Sequence, residues 1–316
     1  MNEKTLKHIE EMKKQAFGVE IEMNNISRER AARLAAEFFG TNNYKDTRRR
    51  NGYYTWSAWD EEGREWKFQR DVSIHGIDSE KCELVTPILH YEDMETLQEL
   101  VRILRRNGAK SDATRGCGIH IHVDARGHNA KTLRNLANLM ASHENLLASA
   151  LKLDEYRMDS YCKTVNPTFL ENLNRKKPTT ISDLADIWYT SHGASSTRNQ
   201  HYNNSRYHML NLHATFTKGT VEFRLFQFDA PSNGKKNGLH AGQLKSYIQL
   251  CLALSQTAKE LKTASPKEQQ KENPKYAMRT WLLRLGFIGD EFKTAREILT
   301  RNLEGDTAFR HGRNAA

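Results

Sequence analysis

The stretch Gly116-Cys117-Gly118-Ile119-His120-Ile121-His122-Val123-Asp124 decides how this chain reads. Side chains on a β-strand alternate between faces, so Ile119, Ile121 and Val123 share one face while His120 and His122 share the other. Two imidazoles on one strand face are either satisfied structural groups or ligands. Gly116 and Gly118, just ahead of them, let backbone come close to a bound group.

The same alternation recurs elsewhere. In Phe17–Asn24 (FGVEIEMN), Val19, Ile21 and Met23 oppose Glu20 and Glu22; in Thr220–Phe228 (TVEFRLFQF), Val221, Phe223 and Leu225 oppose Glu222 and Arg224. Cys82–Leu89 (CELVTPIL) adds Glu83, with Leu84 on the opposite face. Each pair has a plain reading of its own: a solvated Glu-x-Glu face, structural histidines, or an edge ion pair worth little. Taken together, so many carboxylates would repel one another unless a cation compensates them. Carboxylate oxygens joined by imidazole suit Mg²⁺ or Mn²⁺. Arg224, two residues from Glu222, is placed to take a phosphate bidentately. Metal, phosphate and arginine are the parts of a phosphoryl-transfer site. No GxxxxGK[ST] loop occurs, and His143-Glu144 opens HENLL rather than HExxH, which removes the Walker and zincin arrangements.

Outward from these strands, residues 2–15 read as a short polar helix and Ser27 caps a helix over Arg28–Phe39. Tyr53–Trp59 and Trp66–Ile74 form an expected hairpin about Asp60–Gly63. Asp93 starts a helix that Asn107-Gly108 stops after Arg106. Asn129–Lys152 predicts one long amphipathic helix and Ile181–Thr190 a shorter one. Ser191–Ser205 lacks periodicity and reads as a long surface loop, either an ordinary one or a lid. Tyr207–Phe216 and Thr220–Phe228 predict a second hairpin about Thr217–Gly219. A helix over Leu239–Leu261, a polar linker at Lys262–Lys275 and a helical end at Tyr276–Leu303 follow. This order of elements predicts an α+β chain with a largely antiparallel sheet. The expected domains are a catalytic one over 1–261 and a linker with a helical C-terminal appendage over 262–316.

Composition narrows the function classes. With 28% charged and 38% hydrophobic residues, the chain belongs with ordinary globular proteins rather than disordered or fibrous ones. The longest apolar runs, such as Leu250–Leu254, fall far short of the roughly 20 residues that cross a bilayer. The Lys/Glu-rich start lacks a secretory apolar stretch, so the expected address is the cytoplasm. There Cys82, Cys117, Cys162 and Cys251, which have no CxxC spacing, are expected as free thiols. The net charge of +9 invites a nucleic-acid reading, with Arg48–Arg50 for phosphates and the YYTWSAW aromatics for bases. Aromatics alternating along a strand are more readily core, and nucleic acid is set aside as the weakest alternative.

FGVEIEM, WKFQRDVSI followed by CELVTPIL, GCGIHIHVDA, and RYHMLNLHATFTKGTVEFRLF occur here in that order. Over Phe17–Phe228 the chain thereby resembles the amidoligase family, a branch of the carboxylate–amine ligase superfamily that also holds glutamine synthetase and glutamate–cysteine ligase. The resemblance implies a glutamine synthetase-like curved antiparallel sheet with flanking helices, whose concave face binds ATP and divalent ions. It implies metal ligands at Glu20, Glu22, Glu83, His120 and Glu222, with His122 nearer the nucleotide phosphates and Arg224 on the transferred phosphate. Arg206 and Asn211 are expected to face the phosphates or the acceptor carboxylate. Asp71 reads equally as a substrate contact or as a strand-end residue. The second motif holds a single clear acid where glutamine synthetases use more than one, which leaves the number of ions open. The implied function is ATP- and Mg²⁺- (or Mn²⁺-) dependent formation of an amide or isopeptide bond through an acyl phosphate. Its partners would be a carboxylate and an amine, on a small molecule, a peptide or a protein side chain. The alternative is a metal-dependent hydrolase using the same Glu/His cluster, against which Glu222-x-Arg224 counts.

Overall fold

The computed structural model describes residues 2–47, 52–231, 238–268 and 272–308. The Arg48–Arg50 cluster lies outside the described residues. The chain is mixed α/β. Among the described residues the eight strands are β1 (Phe17–Met23), β2 (Tyr44–Asp46), β3 (Trp56–Trp59), β4 (Glu65–Gln69), β5 (Cys82–Val85), β6 (Ile119–Asp124), β7 (Leu210–Asn211) and β8 (Thr220–Phe226). They are ordered β2-β3-β4-β5-β1-β6-β8-β7 in one sheet. β1 with β5, β2 with β3, β3 with β4, β4 with β5 and β7 with β8 pair antiparallel.

Two compact units make up the chain, one of residues 16–122 and 226–245, the other of 1–15, 123–225 and 246–316. In the first, Val19, Ile21 and Met23 of β1 and Ile119 and Ile121 of β6 are at most 1% exposed. Burying each such side chain contributes about 1.5–3 kcal/mol. Helix α2 (Arg28–Phe38) is capped by Ser27, whose Oγ accepts from the Arg30 amide. It turns Ala31, Ala32, Ala35 and Ala36 inward, and these small side chains let it lie close over β3 and β4. Helix α3 (Met94–Arg106) buries Met94, Leu97, Leu100, Val101 and Leu104 at helical spacing. It ends at Gly108, which takes a φ of 101° that other residues avoid.

The second unit is mostly helical. Helix α1 (Glu3–Lys13) precedes α4 (Ala130–Ala141), α5 (Glu144–Leu151), α6 (Glu155–Ser160), α7 (Pro167–Lys176), α8 (Ile181–Ser191) and α9 (His213–Lys218). α10 (Ala241–Glu260) enters from the first unit along the chain, and α11 (Pro274–Arg284) and α12 (Lys293–Thr300) close the order. No helix among the described residues is long and apolar enough to cross a membrane. All four cysteines are buried free thiols.

Several expectations are corrected here. The helix over Asn129–Lys152 is two helices, broken at Ser142-His143. Ser142 Oγ donates to the Leu139 carbonyl, and the His143 ring stacks on Trp281 at 3.9 Å. The strand over Tyr207–Phe216 is only β7 followed by α9. Asn211 Oδ1 accepts from the His213 amide and turns the chain into a helix that Gly219 ends at φ 73°. The strand over Trp66–Ile74 stops at Gln69, because Asp71 Oδ1 accepts from the Ser73 amide at 2.7 Å and forms a turn. The Ser191–Ser205 stretch is pinned rather than structureless. Asn203, 1% exposed, donates to the Thr197 carbonyl, and Ser205 accepts from the Trp188 indole. Strand β2 and helices α6 and α7 were not expected, although Asn166-Pro167 is a good helix start.

Glu144, at the α4–α5 break, is 4% exposed and accepts the Val165 amide on both oxygens at 2.9 and 3.0 Å. Burial pushes its carboxyl up to about 7, against the pull of the Val165 amide, while Glu268 adds to the rise. The unfolded chain ionises it near the ordinary value of about 4.3, so this stability is present below that pH and is lost as pH rises through 7. Unfolding free energy is therefore expected to fall by roughly 3 kcal/mol from this group between pH 4.5 and 7. Glu144→Gln should flatten that slope, as read by denaturant titrations across the range. An unchanged slope would remove Glu144 as the cause.

Candidate functional site

The first unit gathers Glu20, Glu22, Glu83, His120 and His122. Glu22 on β1 stands directly opposite Glu83 on β5, and Glu83 opposite Gln69 on β4, so strand pairing alone puts three polar side chains on neighbouring strands. His120 Nδ1 lies 3.0 Å from Glu20 Oε2, and His122 Nε2 lies 3.2 Å from Glu20 Oε1. Glu22, Glu83, His120 and His122 are between 4% and 8% exposed. Glu22 Oε2 accepts the Gly118 amide at 2.6 Å. Glu83 Oε2 accepts from Gln69 at 2.7 Å.

Two sets of potential ligand atoms overlap at Glu83. One is Glu20, Glu83 and His120; the other is Glu22, Asp71 and Glu83; within each, the atoms lie within 4.8 Å of one another. Burial first, and then the charges of Glu20, Asp71 and Glu22, hold the Glu83 carboxyl well above the usual carboxylate range. A buried carboxyl pressed by three others either keeps a proton or takes a cation.

The second unit gathers Glu222, Arg224, Asn211 and Arg206. Arg224 Nη1 donates to Glu222 Oε1 at 2.5 Å, and Asn211 Nδ2 donates to Glu222 Oε2 at 2.6 Å. Glu222 and Arg224 are 3% exposed, so this pair is buried, not the edge ion pair of the plain reading. β7 and β8 put Asn211 opposite Glu222, which makes the contact. Arg206 is the last residue of a short turn at Asn204–Arg206, and its guanidinium lies over the rings of Tyr202 and Tyr207.

The profile of the family described as "Putative amidoligase enzyme" matches residues 13–255, about three quarters of the chain. This chain belongs to the amidoligase family. The matched span holds Glu20, Glu22, Glu83, His120, His122, Arg206, Glu222 and Arg224. No curated protein matches the chain. Among solved structures it is similar to that titled "Crystal structure of a bifunctional glutathione synthetase from Pasteurella multocida", at 12% identity and a TM-score of 0.48. That match covers 96% of this amidoligase chain and 49% of the other, so the chain spans about half of its length.

Two further residues join this cluster, Gln69, which sequence reasoning passed over, and Asp71, which it left open. Gln69 was legible, since WKFQ alternates and its parity puts Gln69 on the face of Lys67. Asp71, read as a substrate contact or a strand-end residue, is the latter in backbone terms and is also grouped with Glu22 and Glu83. Its position depends on the 71–75 turn packing against Gly116. A Cβ at Gly116 would meet the Ser73 carbonyl at 2.6 Å, and its φ is 67°. No local pattern carries that contact.

Proposed function

We propose that this amidoligase is an ATP- and divalent-metal-dependent carboxylate–amine ligase, with a sheet of glutamine synthetase type. The observation that carries the reading is the pair of overlapping acid and imidazole sets sharing Glu83. Their donors fit a hard-to-borderline cation: carboxylate oxygens from Glu20, Glu22, Asp71 and Glu83, with one nitrogen from His120. When bound, Mg²⁺ or Mn²⁺ would neutralise charge on phosphate oxygens. Glu222, whose two oxygens accept from Arg224 and Asn211, takes the place of a further ligand that the family resemblance gives it.

The chain's own residues take the remaining roles. A substrate carboxylate oxygen attacks the γ-phosphorus of ATP, ADP leaves, and an acyl phosphate forms. Arg224, held by Glu222, is oriented to stabilise the transferred group, with His122 beside the nucleotide phosphates. The amine nitrogen then attacks the acyl carbon, phosphate leaves, and the nitrogen gives up its proton. Water has to be kept out, because it would hydrolyse the acyl phosphate.

The test uses the full chain with Mg²⁺, ATP and a set of amine–carboxylate pairs. ADP and phosphate should appear together with an amide, and ATP should raise the melting temperature only when Mg²⁺ is present. Hydrolytic turnover that ignores ATP would replace the ligase with the metal-dependent hydrolase.

A further inference from the structure

Helix α10 carries Ser255 and Lys259 one turn apart, and both reach the same acceptor in the second unit. Lys259 Nζ donates to Gln15 Oε1 at 2.9 Å, and Ser255 Oγ donates to the same oxygen at 2.5 Å. Gln15 is 8% exposed, and its Nε2 donates to the Leu252 and Met12 carbonyls, which fixes the amide with its oxygen toward the amine. Ser255 also meets His128 Nε2 at 2.9 Å. Burial, and then the charge of Lys259, push the His128 imidazole down to about 3, so it stays neutral beside the amine. Among the described residues Lys259 has no ion pair, and Asp124, the acid that acts on it, is paired with Arg126 at 2.7 Å. Burial holds the Lys259 amine below the usual lysine range, against the pull of Asp124.

A surface lysine is a poor nucleophile because it is protonated. An amine held only by neutral partners and partly removed from water gives up its proton more readily, and the free amine is the form that attacks. Lys259 is half-buried rather than sealed in. Gly127 is exposed and lies beside it, where a Cβ would stand 4.0 Å from Nζ, so the glycine leaves that side of the amine uncovered. The Gln15 oxygen accepts one N–H, and this contact strengthens as the nitrogen turns positive during attack. None of these residues has a role in the ligase reading.

We propose that Lys259, oriented by Gln15, is a site of covalent acylation by an acyl phosphate. The Nζ lone pair attacks the acyl carbon, the bond from that carbon to the phosphate oxygen breaks, and phosphate leaves with the electron pair. One N–H proton passes to the leaving phosphate. The amide product keeps an N–H for Gln15 Oε1 and removes a charge from a half-buried position, so the fold accommodates it. The acylation does not rest on the ligase reading, because a donor free in solution serves equally.

The test incubates the full chain with acetyl phosphate at neutral pH and reads acetylation lysine by lysine through peptide mass spectrometry. Lys259 is expected to react about fivefold faster than Lys176, an exposed lysine, since only the neutral amine attacks. Gln15→Glu places a carboxylate beside the amine and favours its charged form. Its acetylation should therefore slow at neutral pH and recover at higher pH, a shift of the pH profile that a merely structural role for Gln15 would not bring. A second arm replaces acetyl phosphate with glutarate, ATP and Mg²⁺. Glutarylated Lys259 that needs ATP would make the chain itself a source of the donor; acetylation without glutarylation assigns the donor to solution and leaves the site standing. The proposal is overturned if wild-type Lys259 reacts no faster than Lys176, a comparison that holds even if Gln15→Glu does not fold. An unchanged pH profile in a folded Gln15→Glu protein would overturn the part given to Gln15.

Discussion

With Glu83 replaced by glutamine, ADP release in Mg²⁺ and ATP is expected to fall about a thousandfold, an effect of about 4 kcal/mol on the barrier. At pH 8 the metal-free variant is expected to melt above the metal-free wild type. Both follow from one side chain. Glu83 belongs to both sets of potential ligand atoms, so on the proposed reading its loss weakens both, and charge neutralisation by a bound ion is worth several kcal/mol. Without metal, the same carboxyl is buried and faces Glu20, Asp71 and Glu22, which hold it above the usual range. Such a group contributes most to stability below its unfolded pKa, and that contribution is lost as pH rises through the raised folded value. At pH 8 the wild type therefore carries the cost and the neutral amide does not. Adding Mn²⁺ should raise the wild-type melting temperature and leave the variant unmoved. A Glu83→Gln protein as active as the wild type, or less stable without metal, would remove Glu83 from the centre of the site.

Arg224→Gln is expected to cost about 3–5 kcal/mol of stability, because it leaves the Glu222 carboxylate buried without its cation. Both side chains are 3% exposed, and the Asn211 amide that also donates to the carboxylate brings no charge to replace the guanidinium. On the proposed reading turnover should fall as well, since Arg224 would then stabilise the transferred phosphate. The double variant Glu222→Gln/Arg224→Met separates the two effects. It removes both charges, so most of the stability should return, while ADP release should stay low. Denaturant melts read the first and coupled ADP detection the second. Recovery of turnover in the double variant would mean that Arg224 serves the fold alone.

Where the sequence was legible, the reason was local. β1, β6 and β8 announce themselves because a strand has a period of two, and bulky residues at 19, 21 and 23, at 119, 121 and 123, and at 221, 223 and 225 mark the buried face. The opposite faces, with Glu20, Glu22, His120, Glu222 and Arg224, follow by parity. Ser27 and Gly108 bound α2 and α3 through chemistry confined to a few residues. Local signals failed where a distant partner overrode them. Asn129–Lys152 keeps helical periodicity throughout, but the Val165 amide donates to the Glu144 carboxylate and Trp281 stacks on His143, and the helix breaks at Ser142-His143. Tyr207–Phe216 alternates like a strand, yet the Asn211 turn commits it to a helix.

The sequence by itself determined which side chains the strands present and to which face, because backbone geometry imposes that alternation whatever lies nearby. It could not determine which of those side chains meet. The register that sets Glu22 against Glu83 and Gln69, and the close approach to Gly116 of the turn carrying Asp71, are contacts between residues far apart in the chain. So is the burial of the Glu222–Arg224 pair. The tertiary structure decided these, since charge, burial and partnership depend on distances in space that no local period encodes.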